Sequence, residues 1–142
     1  MQFHGGVYRS DDAGETWNDI SAGLPSGFGF PIVIDPADPD AAYVIPLDGA
    51  QDRATPGGRV AVYETRDAGA SWNPRGEGLP QRDAWLTILR QAFGSDGGGG
   101  SNSSQSLAFG PTSGTVFTSP DGGSSWTAAF DRLPLVTSVR FA

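Results

Sequence analysis

The chain has no cysteine and no lysine, one histidine, one methionine and only three glutamates in 142 residues. Without cysteine there is neither a disulfide framework nor a thiolate metal site. The missing lysine leaves nine basic residues, all arginine, which reads as a codon bias of the genome rather than a functional choice. Sixteen acidic residues oppose them and the net charge is −7, so the basic patch expected of a nucleic-acid binder is lacking. No apolar run approaches the roughly 18 residues of a membrane-spanning helix. The segment Met1–Gly6 lacks the charged and apolar regions of a signal peptide. The expected location is therefore the cytoplasm, or undefined if the sequence is a piece of a longer secreted protein.

Glycine (21 residues) and proline (11) are both abundant, which suits a turn-rich all-β protein. The strongest signal is a repeat. Ser10-Asp11-Asp12-Ala13-Gly14-Glu15-Thr16-Trp17 returns as Thr65-Arg66-Asp67-Ala68-Gly69-Ala70-Ser71-Trp72. It returns again as Ser119-Pro120-Asp121-Gly122-Gly123-Ser124-Ser125-Trp126, with the tryptophans 55 and 54 positions apart. Each copy is preceded by Val-aromatic (Val7-Tyr8, Val62-Tyr63, Val116-Phe117) and followed by Leu-Pro (Leu24-Pro25, Leu79-Pro80, Leu133-Pro134). A period of this length points to a propeller or solenoid.

Each residue type in the octapeptide has a physical job. Asp12, Asp67 and Asp121 can accept backbone N–H groups of a tight turn, and Ser10, Thr65 and Ser119 can do so more weakly. Gly14, Gly69 and Gly123 suit positive φ. Trp17, Trp72 and Trp126 each offer a large apolar face and are expected to be buried at equivalent places. The motif reads as a self-satisfied hairpin corner.

The octapeptide resembles the Asp box, or BNR repeat, of sialidases, sortilin-like receptors and xyloglucan-cleaving glycosidases. The segments Met1–Asp12 and Leu133–Phe141 also resemble the C-terminal part of uncharacterised bacterial Asp-box proteins of sialidase-like and glycosyl-hydrolase-like type. The resemblance implies a β-propeller. In it, the box caps the hairpin between the third and fourth strands of a blade, away from the face that binds ligands.

On this reading the fold class is all-β, a partial propeller of about three four-stranded blades. Residues 1–25 form part of a blade, 26–80 and 81–134 form two further blades, and 135–142 supply an extra strand. The unalternating run Phe30–Ile34 reads as a strand buried on both faces. A strand is also expected from Ala84 to Leu89, although Trp85, Ile88, Leu89 and Ala92 fit a helical face as well; the repeat register favours the strand. The stretch Gly97–Ser101 has the composition of a flexible linker, natural or engineered. The extra strand, Val136–Phe141, is complementary to an incomplete first blade. A homodimer that closes a six-bladed ring by exchanging this strand is therefore expected.

If the boxes mark one face, the loops of the opposite face carry His4, Asp48, Asp52, Arg53, Arg59, Arg82, Asp83 and Trp85 as candidate ligand residues, with carbohydrate as a candidate partner. No cofactor is implied. The cluster Asp11, Asp12 and Glu15 lacks the oxygen count of a calcium loop, so no metal is expected. A glycosidase needs two carboxylates, and Asp48 or Asp52 with Asp83 are the available ones. Glu15 lies within a box and Glu64 directly before one, which departs from the Tyr–Glu pair of sialidases. No catalytic residue is assigned. The leading expectation is a non-enzymatic structural or interaction scaffold. The alternative is a glycosidase-like propeller whose site needs further blades or a second chain.

Overall fold

The computed structural model describes residues 1–98 and 104–142. Eleven strands form three antiparallel sheets in which chain neighbours pair throughout. The first sheet holds β1 (Gln2–Phe3), β2 (Gly6–Arg9) and β3 (Asn18–Asp19). The second holds β4 (Gly29–Asp35), β5 (Asp38–Pro46), β6 (Val62–Thr65) and β7 (Asn73–Arg75). The third holds β8 (Ile88–Ser95), β9 (Leu107–Pro111), β10 (Val116–Ser119) and β11 (Thr127–Phe130). Among the described residues no helix is long and apolar enough to cross a membrane.

Successive sheets bury apolar faces against each other, and the period-two alternation of strands sorts the side chains between them. In β5, Tyr43 and Ile45 join the core shared with the third sheet, with Val62, Ile88, Leu107 and Phe109. The intervening Val44 instead joins Val7 and Trp72 between the first and second sheets, flanked by Ile20, Leu24 and Ile32. Phe109 stacks on Phe117 and meets Trp126 edge-on, each at 5.1 Å between ring centroids.

Several expectations need correction. The run Phe30–Ile34 is sandwiched only in part: Val33 joins the core shared with the third sheet and Ile32 packs toward the first, but Ile34 is 66% exposed, and β4 is an end strand of its sheet. The strand of the third sheet starts at Ile88 rather than Ala84, because residues 84–87 are held by another loop, described below. Val136–Phe141 forms no ladder; it runs beside β8, where Val139 N–H donates to the Gln91 carbonyl at 2.9 Å. Most of the Gly97–Ser101 stretch lies outside the described residues.

The three octapeptides fold alike. Asp12, Asp67 and Asp121 each accept a backbone N–H four residues on, from Thr16, Ser71 and Ser125, all at 2.9 Å. The hydroxyls of the same three residues donate to the other carboxylate oxygen at 2.5–2.6 Å. Ser10, Thr65 and Ser119 donate to these carboxylates and accept the N–H of Gly14, Gly69 and Gly123. Those glycines have φ of 96°, 88° and 88°, and the residue before each (Ala13, Ala68, Gly122) is also at positive φ. Two consecutive positive φ values are the signature of the type I′ hairpin turn, whose twist matches that of the flanking strands.

The tryptophans face the preceding sheet. Trp72 is buried and donates Nε1–H to the Ile20 carbonyl just beyond β3, at 2.7 Å. Trp126 is 3% exposed, and its backbone N–H donates to the Glu77 carbonyl just beyond β7, at 2.9 Å. Trp17 departs from the expected burial at 46% exposed, although its indole N–H closes on its own Gly14 carbonyl just as that of Trp126 closes on Gly123. No sheet among the described residues lies over it.

Truncating Trp126 to Ala should therefore cost about 3–5 kcal/mol through lost burial and a cavity, and Trp17→Ala a small fraction of that, as read by urea denaturation. The octapeptide carboxylates also set an acid limit. The Thr16 hydroxyl and N–H, with Ser10, pull Asp12 down from 3.8 to about 2. The Ser71 hydroxyl chiefly lowers Asp67, and at Asp121 the hydroxyls of Ser125 and Ser119 outweigh an opposing effect of burial. Because the folded values lie below the unfolded ones, this stabilisation is present above the ordinary carboxylate value of 3.8 and is lost as pH falls below it, for Asp12 toward about 2. Thermal melts across that window should steepen in the wild type and flatten in the triple Asp→Asn variant.

Candidate functional site

The end of the sheets opposite the octapeptides is built by the connections β1–β2, β3–β4, β5–β6, β7–β8 and β9–β10. Two of these are longer than the repeat requires. Leu24 precedes β4 by five residues, whereas the equivalent Leu79 precedes β8 by nine. The β5–β6 connection runs from Leu47 to Ala61, whereas β1 and β2 are joined through His4 and Gly5 alone.

These two surplus segments bind each other. The buried Thr55 hydroxyl donates to the Ala84 carbonyl and accepts the Leu86 N–H at 3.2 Å. The Thr55 N–H donates to the Leu86 carbonyl at 3.0 Å, and the Ala84 N–H to the Gly58 carbonyl at 3.0 Å. The Thr87 hydroxyl reaches the Arg53 carbonyl at 2.8 Å. These ties claim residues 84–87 and explain why the strand begins only at Ile88.

Trp85 is the side chain this arrangement displays. It is 62% exposed and lies over the backbone of Gly58, where a Cβ would stand 3.1 Å from the indole. Gly58 has φ of 65°. Any side chain there would both strain the turn and lift the ring.

The other expected residues surround this pair of loops without forming a single cluster. Asp52, Arg53, Arg59, Arg82 and Asp83 are exposed and Asp48 is half-buried. Arg53 lies over the Phe30 ring at 5.8 Å, and its Nε donates to the Ala50 carbonyl. Arg53 and Asp83 both adopt positive φ, at 50° and 51°. His4 stands in an aromatic cluster with Phe28 and Phe30, at 5.1 and 5.6 Å. Among the described residues no three His, Asp or Glu side chains converge as a metal site.

The sequence reading missed a buried charge cluster nearer the octapeptides. Glu64 accepts the Tyr43 hydroxyl at 3.1 Å and Arg66 Nε at 2.7 Å on one oxygen, and Arg75 Nε at 2.8 Å on the other. Arg66 also faces Asp35 and Asp38 at 3.5 and 3.6 Å. Burial raises the Tyr43 hydroxyl above its ordinary value, so it stays protonated as a donor. Glu64 has no counterpart in the repeat, where Arg9 and Thr118 stand instead, so no periodic signal exposed it.

Neither a protein-family model nor a curated protein matches this chain. Solved structures do. The GH74 xyloglucanase from Xanthomonas campestris superposes with a TM-score of 0.60 at 21% identity, over 88% of this chain and 18% of that one. The Niastella koreensis GH74 enzyme does so with a TM-score of 0.59 at 20% identity, over 96% of this chain and 19% of that one. The likeness is one of fold. This chain is an all-β, propeller-like array that spans under a fifth of each of those enzymes.

Because Thr55 ties the two surplus loops, Thr55→Val should cost about 1–3 kcal/mol by leaving buried polar groups unpaired. It should also loosen the Trp85 ring. Urea denaturation reads the first effect and a fall in Trp85 fluorescence anisotropy the second.

Proposed function

We propose that this chain is a non-enzymatic binding section of an Asp-box propeller and that its ligand is a neutral saccharide seated on Trp85. The observation that carries the reading is the pair of surplus loops: they add nothing to the repeat, yet are ordered by their own hydrogen bonds and hold one aromatic ring outward. Ordered loops without a packing task are the usual carriers of binding. An aromatic ring with one face on backbone and the other in solvent suits the C–H face of a sugar ring.

Charge supports a neutral ligand. Asp48, Asp52 and Asp83 balance Arg53, Arg59 and Arg82 on this face, within a chain of net charge −7. A glycosidase reading draws support from the fold likeness to a xyloglucanase, and it would have to take its two carboxylates from Asp48, Asp52 and Asp83. The bare surfaces at Trp17 and Ile34 support a further sheet seated against the first and second sheets. A second copy of this chain, in the six-bladed dimer, is the proposed source; a monomeric mass in light scattering would count against it.

The test is titration of cello- and xyloglucan-oligosaccharides against intrinsic tryptophan fluorescence, with release of reducing ends followed in parallel. Saturable quenching without hydrolysis is expected. Trp85→Ala should weaken binding about tenfold, the worth of one aromatic contact, and leave the melting temperature unchanged. Quenching that persists in Trp85→Ala, or turnover lost in Asp83→Asn, would overturn the reading.

A further inference from the structure

A second concavity opens on the face of the second sheet that looks toward the first, at the end away from the octapeptides. It is a groove of about 260 Å³. Its wall is unusual: Pro25, Pro46, Pro56 and Pro74 come from four separate segments, and Tyr63 and Ala61 complete it from β6 and the residue before it. The register explains the convergence. Tyr63 pairs with Pro74 on β7 and with Val44 on β5, so Pro46, Ala61, Tyr63 and Pro74 fall on one face of the sheet. Pro25 arrives from the β3–β4 connection and Pro56 from the turn that also carries Gly58.

Proline rings lose almost no side-chain entropy when a ligand orders them, so this wall is rigid before anything binds. It offers flat C–H surface suited to a ring-shaped body. The polar groups at the rim are of a different kind. The Gln81 amide nitrogen is engaged, its N–H groups shared among the carbonyls of Val60, Leu79 and Gly76. Arg59 and the Tyr63 hydroxyl, in contrast, have no side-chain partner among the described residues. Burial raises the Tyr63 hydroxyl and the nearby Arg59 charge pulls the other way, so the phenol is a neutral donor beside a guanidinium.

We infer that this groove binds a carboxylate carried on a six-membered ring, with Arg59 and the Tyr63 hydroxyl donating to the carboxylate and the prolines enclosing the ring. A guanidinium and a hydroxyl both donate and neither accepts a proton at neutral pH, so the pair selects an anionic acceptor. The net negative charge of the chain opposes anions in general, so binding here rests on the local Arg59 charge and the enclosed fit of the ring. This groove is distinct from the Trp85 platform: neither Trp85 nor Gly58 lines it, and it uses none of the residues that tie the two surplus loops.

The experiment is a nitrogen–proton NMR titration of the full chain with D-glucuronate, benzoate and methyl β-D-glucoside. Saturable shifts at Arg59, Ala61, Tyr63 and Gln81 are expected from at least one acid, weaker in high salt, and none there from the neutral glucoside. Glucuronate alone would mark a sugar acid as the ligand, and benzoate alone an aromatic acid. Arg59→Gln should weaken binding about tenfold, the worth of a charge-assisted hydrogen bond, and Tyr63→Phe should weaken it less. Tyr63→Phe should retain the wild-type melt and the Trp85 fluorescence response, which separates failure here from failure of the saccharide platform. No saturable shift from either acid, equal binding by Arg59→Gln, or equal shifts from the glucoside would overturn the inference.

Discussion

Every sheet here depends on one carboxylate held by a hydroxyl and a backbone N–H inside its own octapeptide. The strands it joins are short: β6 and β10 have four residues, β7 three and β3 two. Ladders of that length do not fix a hairpin in water. The type I′ turn supplies the right twist but places alanine at positive φ in two copies, at 60° and 61°, a conformation that costs roughly 1–2 kcal/mol for a residue with a Cβ. The Asp and Ser/Thr side chains offset that cost locally by satisfying the N–H groups the turn leaves over. The turn's polar groups are thus satisfied within the corner itself, without help from another sheet.

The tryptophan then converts a local corner into a tertiary joint. Trp72 and Trp126 both reach the residues just past the outer strand of the preceding sheet. The first and second sheets are therefore each latched at the rim by the next one, while apolar faces are buried further in. This nearest-neighbour logic is that of repeat architectures, where stability accrues from one interface to the next. Trp17 shows the same latch with nothing to close on, and its exposure measures what the interface supplies at the other two positions.

How much of this was legible follows from what repeats. The octapeptide bonds could be read from Asp-x-Gly spacing because three copies make the same demand on the same residue types. The inner start of β8 could not: the register pointed to a strand from Ala84, but Thr55, some 30 residues earlier, captures Ala84 and Leu86 instead. Glu64 looked like a stray acid beside a box and proved to be a buried hub for two arginines and Tyr43. Such pairings join residues of different copies or different phases, and a periodic signal carries no information about them. The candidate residues do lie in connections opposite the octapeptides, as topology implied, but only the structure sets Trp85 apart from its charged neighbours.

The two ends of the sheets thus solve opposite problems. At the octapeptide end every copy must make the same turn, so its residues are constrained three times over and are left little room to vary. At the far end the connections need only span a gap, and two of them exceed it. A surplus loop carries an entropic cost that grows slowly with length, yet these loops are held by five mutual hydrogen bonds among Arg53, Thr55, Gly58, Ala84, Leu86 and Thr87. Ordering them does not bury Trp85, which remains 62% exposed. An indole kept in water by a rigid support forgoes the burial that stabilises Trp72 and Trp126. Stability alone would favour turning the ring inward or shortening the loop. The saccharide proposed above would give the exposed face a partner, at the end of the fold opposite the octapeptides.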